Sequence, residues 1–238
     1  MTPPLSCGPR VNLFGRPSID GQCHGYQMRS RKSWALLAYL VLNERPPTRH
    51  RLAALLYQEA DDPLRALRWG LSEVRRALRG LATIEGDPVV LCRHPDLVFD
   101  VEVVAGGPWS SAVRVPTLGG ELLEGMTIRS AAVFDSWLLA EQRRLAAATN
   151  DVLREAVRVL VERGDHRAAI GYAVRRVAVT PLDEDCHADL IRLYRAIGDD
   201  VAAQRQFATY ALMLETELGV RPGPAVLAAL QLASEPAA

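Results

Sequence analysis

Nine residues from Trp34 to Leu42 run without a charge, and apolar side chains fall on nearly every side of a helical projection (Trp34, Ala35, Leu36, Leu37, Ala38, Leu40, Val41, Leu42). A helix over 31–43 that is apolar all round belongs at the centre of a domain. Asn43 to Pro47 ends it, and Thr48 is placed to cap a second helix over 49–57 that turns Leu52, Leu55 and Leu56 inward. Asp62 followed by Pro63 gives a third start, with the cap and the first helical position filled by the residue types that suit them. In the third helix, predicted over 63–79, Leu64, Leu67, Leu71, Val74 and Leu78 recur at alternating spacings of three and four, which draws one core-facing stripe. Ahead of these helices, Val11 to Phe14 and Ile19 are short β-favouring pieces broken by Gly15, Pro17 and Asp20-Gly21, the pattern of short hairpins. Behind them, a turn over 80–87 precedes two β-like runs, 88–92 and 97–101, which predict a hairpin wing with Arg93 at its tip. Strands, three helices and a hairpin make a winged helix-turn-helix, in which the third helix is the one that enters a groove.

The pattern then changes. Residues 102–127 are rich in Gly, Pro and Ser, including Gly106-Gly107-Pro108 and Gly119-Gly120, and predict a junction at 106–127. The expected organisation is a flexible N-terminus at 1–9, a winged-helix domain at 10–105, the junction, and a helical domain at 128–238. The helical domain opens with a long helix expected from Ser130 to Arg163, with Val133, Phe134, Trp137, Leu138, Leu145, Val152, Val159 and Leu160 on its inward side, stopped by Gly164. Two units follow at a period of 34: Val157, Leu160, Gly164-Asp165 and Ala168-Ala169 recur as Ile191, Tyr194, Gly198-Asp199 and Ala202-Ala203. That period matches tetratricopeptide repeats, whose small residues let paired helices approach closely. The fold class is therefore mainly α: an N-terminal winged helix-turn-helix with a small sheet and wing, then a C-terminal tetratricopeptide-like helical repeat domain.

Charge sharpens the division. The 238 residues carry 28 basic and 28 acidic side chains, but 11 basic against 5 acidic fall between Arg29 and Arg79, a local excess that attracts a polyanion. One position along from the leucine stripe of the third helix run Arg65, Arg68, Ser72, Arg75 and Arg79, about 100° away, with Arg76 beside them. Guanidinium forks held on such a spine can reach base edges in a major groove, Arg75 at mid-helix being the best placed for guanine. Periodicity alone also describes a merely solvated basic face. Arg49, Arg51 and Arg93 are placed to meet phosphates.

Other chemistries find no footing. Lys32 is the sole lysine, and 28–33 lacks the glycines of a phosphate-binding Walker loop. The kinase motifs, the GxSxG elbow and HExxH are absent as well, so the chain does not read as an enzyme. Cys7, Cys23, Cys92 and Cys186 form no CxxC, and the neighbours Cys23-His24 and Cys186-His187 lack the spacing of a metal clamp, so reduced thiols and no cofactor or metal are expected. The longest apolar run, nine residues, is far below the roughly 20 that span a bilayer. With no secretory signal at 1–10, a cytoplasmic location follows by default and no membrane partner is expected.

Several segments together resemble one family. Leu71-Ser-Glu-Val-Arg-Arg-Ala-Leu78 looks like the recognition-helix signature of the SARP-type antibiotic regulatory proteins, and Val89-Val-Leu91 with Val98-Phe-Asp-Val101 resembles their wing and exit. Gly120-Glu-Leu-Leu123, Phe134-Asp-Ser-Trp137, Glu141-Gln-Arg-Arg-Leu145 and Glu217-Leu-Gly-Val-Arg-Pro222 are similar to their bacterial transcriptional activation domain. The resemblance implies a transcriptional activator that binds direct repeats of double-stranded DNA near a promoter, often as a side-by-side homodimer, and recruits RNA polymerase holoenzyme. Tyr57 stands where the family commonly has tryptophan, Glu73 where a basic residue is frequent, and Gly70 interrupts the recognition helix at up to about 1 kcal/mol against alanine. The competing reading is a repeat-based protein-interaction adaptor whose winged helix has lost DNA binding.

Overall fold

The computed structural model describes residues 8–21, 25–128 and 131–231. Cys7, Cys23, His24, Ser130 and most of the expected N-terminal tail lie outside the described residues. The chain forms two compact units, 1–145 and 146–238.

In the first unit, β1 (Arg10–Asn12) and β2 (Ser18–Asp20) pair antiparallel with Val11 opposite Ile19, and β5 (Val98–Phe99) joins β1 in parallel with Phe99 opposite Val11. Three helices follow β2: α1 (Arg31–Leu42), α2 (Arg49–Leu56) and α3 (Pro63–Ala77). The expected caps are all made, since Thr48 accepts from the Arg51 N–H and Asp62 from the Arg65 N–H, with Pro63 in the first turn. Satisfying N–H groups that have no intrahelical partner is what fixes these starts. α3 ends two residues short of the expected Arg79. Leu36, Leu37, Leu52, Leu56, Leu67, Leu71 and Tyr39 are almost fully buried between the three helices.

The wing differs from expectation. The segment read as a turn at 80–87 contains β3 (Ala82–Glu85), which pairs antiparallel with β4 (Val90–Arg93), Ile84 opposite Leu91. Only Ile84 of β3 is buried, so the strand shows one apolar residue and little alternation for a sequence reading to find. Residues 97–99 leave the hairpin and return to β1. Arg93 consequently sits at the base of the wing opposite Ala82, away from the tip at Gly86-Asp87.

The glycine-rich segment expected to be a junction at 106–127 is packed chain. α4 (Asp100–Gly106) and α5 (Trp109–Ala112) lead into a stretch where Val115, Leu118, Leu122, Leu123 and Ile128 are buried. Leu123 N–H donates to the Leu13 carbonyl at 2.9 Å and Gly15 N–H to that of Glu121 at 2.7 Å, which lays 121–124 along the end of β1. Asp100 locks this arrangement from inside: its carboxylate accepts from the N–H groups of Leu13, Phe14 and Val101 and from the Thr117 hydroxyl, at 2.8 to 3.0 Å. Burial pushes this carboxyl above its usual range, against the pull of the four donors. The start of α6 (Ala132–Glu162) completes the unit: Trp137 packs on Tyr39 with ring centroids 4.8 Å apart, and Gln142 donates to the Leu122 carbonyl at 3.0 Å.

The second unit continues α6 and adds α7 (His166–Val179), α8 (Glu184–Ala196), α9 (Asp200–Leu218) and α10 (Pro224–Gln231). The period of 34 appears in backbone detail. Gly164 and Gly198 both take positive φ, 75° and 78°, a conformation glycine adopts without penalty. Asp165 and Asp199 then cap α7 and α9 by accepting from Ala168 N–H and Ala202 N–H. Of the paired alanines expected to allow close helix contacts, Ala169 and Ala203 are fully buried, as is Ala173, while Ala168 and Ala202 are only partly buried. Arg176 is buried among these helices and donates to Asp189 at 2.7 Å and to Asn150 at 2.9 Å. Among the described residues no helix is long and apolar enough to cross a membrane, and no cluster of three potential ligands could hold a metal ion.

Candidate nucleic-acid interface

α3 stands on the first unit with Leu67, Leu71, Val74 and Ala77 buried and its opposite side exposed. Helical spacing sets out the exposed side: Arg65, Trp69, Ser72 and Arg76 form the outermost row, Arg68 flanks it, and Arg79 is exposed just past the helix end. Six of the nine residues singled out from the sequence (Arg65, Arg68, Ser72, Arg75, Arg76, Arg79) are thus brought onto one helix and its end, all exposed.

Their side chains are differently engaged. Arg75 donates from both Nε and Nη2 to the Ile84 carbonyl, at 2.9 and 2.7 Å, tying the helix to β3. Arg68 Nε donates to the Leu64 carbonyl at 3.3 Å. The Arg76 guanidinium lies 5.2 Å from the ring centre of Tyr26, a cation–π distance. Arg49 reaches the tip of the wing, its N–H donating to Asp87 at 2.9 Å and its Nε to the Gly86 carbonyl at 3.1 Å. Arg51 and Arg93 lie elsewhere. Arg51 donates to the Tyr39 hydroxyl at 3.2 Å and lines an open cavity of about 790 Å³ with Trp137, Glu141 and Arg144. Arg93 is ion-paired with Glu102 and lies over the Phe99 ring.

Two residues that look like departures from a DNA-reading helix shape the surface. Glu73 binds the start of α1: one oxygen accepts from the N–H groups of Arg29 and Ser30, at 3.0 and 3.3 Å, and the other from the Ser33 hydroxyl at 2.5 Å. Partial burial raises its pKa, and these donors with the Arg76 charge outweigh that, so the carboxyl lies below its ordinary range and stays ionised. A carboxylate at a helix N-terminus also meets the positive end of the helix dipole. Gly70 faces Tyr57, whose hydroxyl occupies the space a Cβ at position 70 would need. That hydroxyl is buried without a hydrogen-bond partner, and burial, with the nearby Glu73 charge adding to it, pushes its pKa up to about 12. Lys32 sits 5.2 Å from the Tyr57 ring centre.

Trp69, which is 69% exposed, was missed by a reading that looked only for polar side chains on this face. Its spacing of four from Arg65, three from Ser72 and seven from Arg76 was the available signal. Beside it a cavity of about 310 Å³ is walled by Tyr26, Lys32, Tyr57 and Arg76.

No match was found among curated protein sequences. Among solved structures, EmbR of Mycobacterium tuberculosis, in complex with a low-affinity phosphopeptide, superposes with a TM-score of 0.60 at 19% identity, over 94% of this chain and 64% of that one. The likeness is one of fold, and this chain spans less than two thirds of the length of EmbR. The family profile described as bacterial transcriptional activator domain matches residues 107–232, more than half of the sequence. With a match over more than half of its length, the chain belongs to the bacterial transcriptional activator domain family.

Proposed function

We propose that this protein activates transcription by binding double-stranded DNA in a sequence-specific way through α3 and by contacting RNA polymerase through its helical domain, and that it is not an enzyme. The observation that carries this reading is the outward row of α3, on which Arg65, Ser72 and Arg76 are exposed above a fully buried spine, with Arg68 and Arg79 beside them. A rigid helix that presents guanidinium groups at successive turns suits the acceptor-rich major-groove edge of guanine. Arg65 and Arg76 are assigned to base edges, and Arg68 and Arg79 to base edges or flanking phosphates. Arg75 and Arg49 hold the wing at its distance from α3 and touch DNA with their remaining donors. Arg51 and Arg93, which lie outside the α3 row, meet backbone only where the duplex extends past it. Direct promoter repeats bound by two copies side by side fit a reader with one recognition helix per chain.

The test is a titration of the whole chain against duplex DNA at increasing salt. Log affinity is expected to fall linearly with log salt, by about 0.9 per phosphate neutralised. A flat line removes DNA from the reading. Activation from a reporter promoter carrying the selected repeats, lost when residues 146–238 are deleted, checks the second half of the proposal.

A further inference from the structure

An indole 69% exposed at the middle of a basic helix face calls for a partner that is both apolar and embedded in negative charge. Among the described residues of α3, Trp69 is the one large hydrophobic side chain that is exposed, and the residues around it on the outward row, Arg65, Ser72 and Arg76, are all polar. Its backbone is held on both sides of the helix turn: Leu71 is fully buried, and Gly70 abuts the Tyr57 hydroxyl so closely that no side chain fits between them. The backbone at Trp69 is therefore held in place, and its stem cannot roll into the core.

We infer that Trp69 is a specificity-determining residue which recognises the C5 methyl group of thymine in the major groove. The inference rests on the proposal that α3 enters DNA. Of the groups that base pairs expose there, the thymine methyl is the apolar one, and the others are hydrogen-bond donors or acceptors. An indole cannot accept a hydrogen bond from cytosine or adenine amino groups, and its single N–H gives no bidentate fork for guanine. A phosphate contact would leave the ring face unused, and the arginines on both sides already supply donors for phosphates. The methyl group is what remains for the face of the ring, and the neighbouring arginines supply the attraction that carries it into the groove.

The methyl can be deleted without touching the protein. A preferred duplex is first selected from random sequences with the full chain, and each thymine in it is then replaced singly by deoxyuridine. Wild-type protein is expected to lose about 5- to 10-fold in affinity at one or two of these positions, the low end of the range for a single base contact. Trp69→Ala should bind the parent duplex correspondingly less well and be indifferent to the same replacements, so that the two losses do not add. Trp69→Phe, which keeps an aromatic face, should retain part of the methyl dependence. Indifference of the wild-type protein to every replacement overturns the inference, and this arm needs no variant to fold. An undiminished deoxyuridine penalty in a folded Trp69→Ala protein overturns it too, as does loss of self-association in that variant with methyl dependence intact. Failure to select any salt-sensitive duplex overturns the DNA-binding proposal together with this one, whereas selected DNA without methyl dependence overturns this one alone.

Discussion

Gly70 and Tyr57 form a matched pair. Read along the chain, a glycine inside a recognition helix is a cost, and a tyrosine at the end of α2 is a smaller substitute for tryptophan. In the structure each is explained by the other, because the Tyr57 hydroxyl fills the place of the missing side chain. The hydroxyl has no partner in its buried position, so removing it deletes an unsatisfied group. Gly70→Ala alone should destabilise the first unit by about 1 to 3 kcal/mol from overpacking, reduced by the roughly 1 kcal/mol that alanine gains over glycine in a helix. Tyr57→Phe alone should be close to neutral, and the double variant should recover most of the loss. Thermal or denaturant unfolding of the four proteins closes the cycle, and additive losses would show that the contact is not what fixes Gly70. Glu73 teaches the same lesson: its three donors lie near α1, some forty residues away. Periodicity placed both residues on the correct helix, but what they do is decided by partners brought up by the fold.

At the scale of elements, the helices were legible because their signals are local. Caps at Thr48 and Asp62, the leucine spacing of α3 and the repeated Gly-Asp joints all sit within a few residues of what they control. The wing was not, because β3 buries a single side chain and is defined by its pairing with β4 and by a bond from α3. That bond is the double donation of Arg75 to the Ile84 carbonyl. Removing it with Arg75→Ala should leave α3 helical and loosen the hairpin. A hydrogen bond of about 1 kcal/mol corresponds to roughly fivefold faster amide exchange in 82–93. Hydrogen exchange followed by NMR measures this directly, and unchanged exchange in the hairpin would mean that β3 and β4 hold themselves. DNA affinity should fall in the same variant for all sequences alike if Arg75 acts through the wing.

At the scale of the whole molecule, composition suggests two domains with a junction at 106–127; the family match begins at 107, while the compact units divide at 145. Glycine, proline and serine at 106–127 read as a linker, yet that stretch carries buried Val115, Leu118, Leu122 and Leu123 and gives Asp100 one of its four donors. Glycine-rich chain can be tightly turned as well as loose, and composition alone does not tell which. A fragment of residues 1–105 should therefore melt at lower temperature and less cooperatively than residues 1–145, since it lacks the strand-like pairing of 121–124 and the Trp137 ring against Tyr39. Near-ultraviolet circular dichroism during heating distinguishes the two, and equal melting would show that the first unit is complete at 105. The bonds from Arg49 to the wing tip and from Arg75 to β3 have one more consequence. The separation of hairpin and helix is settled when the chain folds, so that conformational freedom is surrendered then and is not surrendered again by whatever grips both. A caliper set in advance measures its object: duplexes whose groove width already matches the span are bound without being bent, and those that do not match must deform.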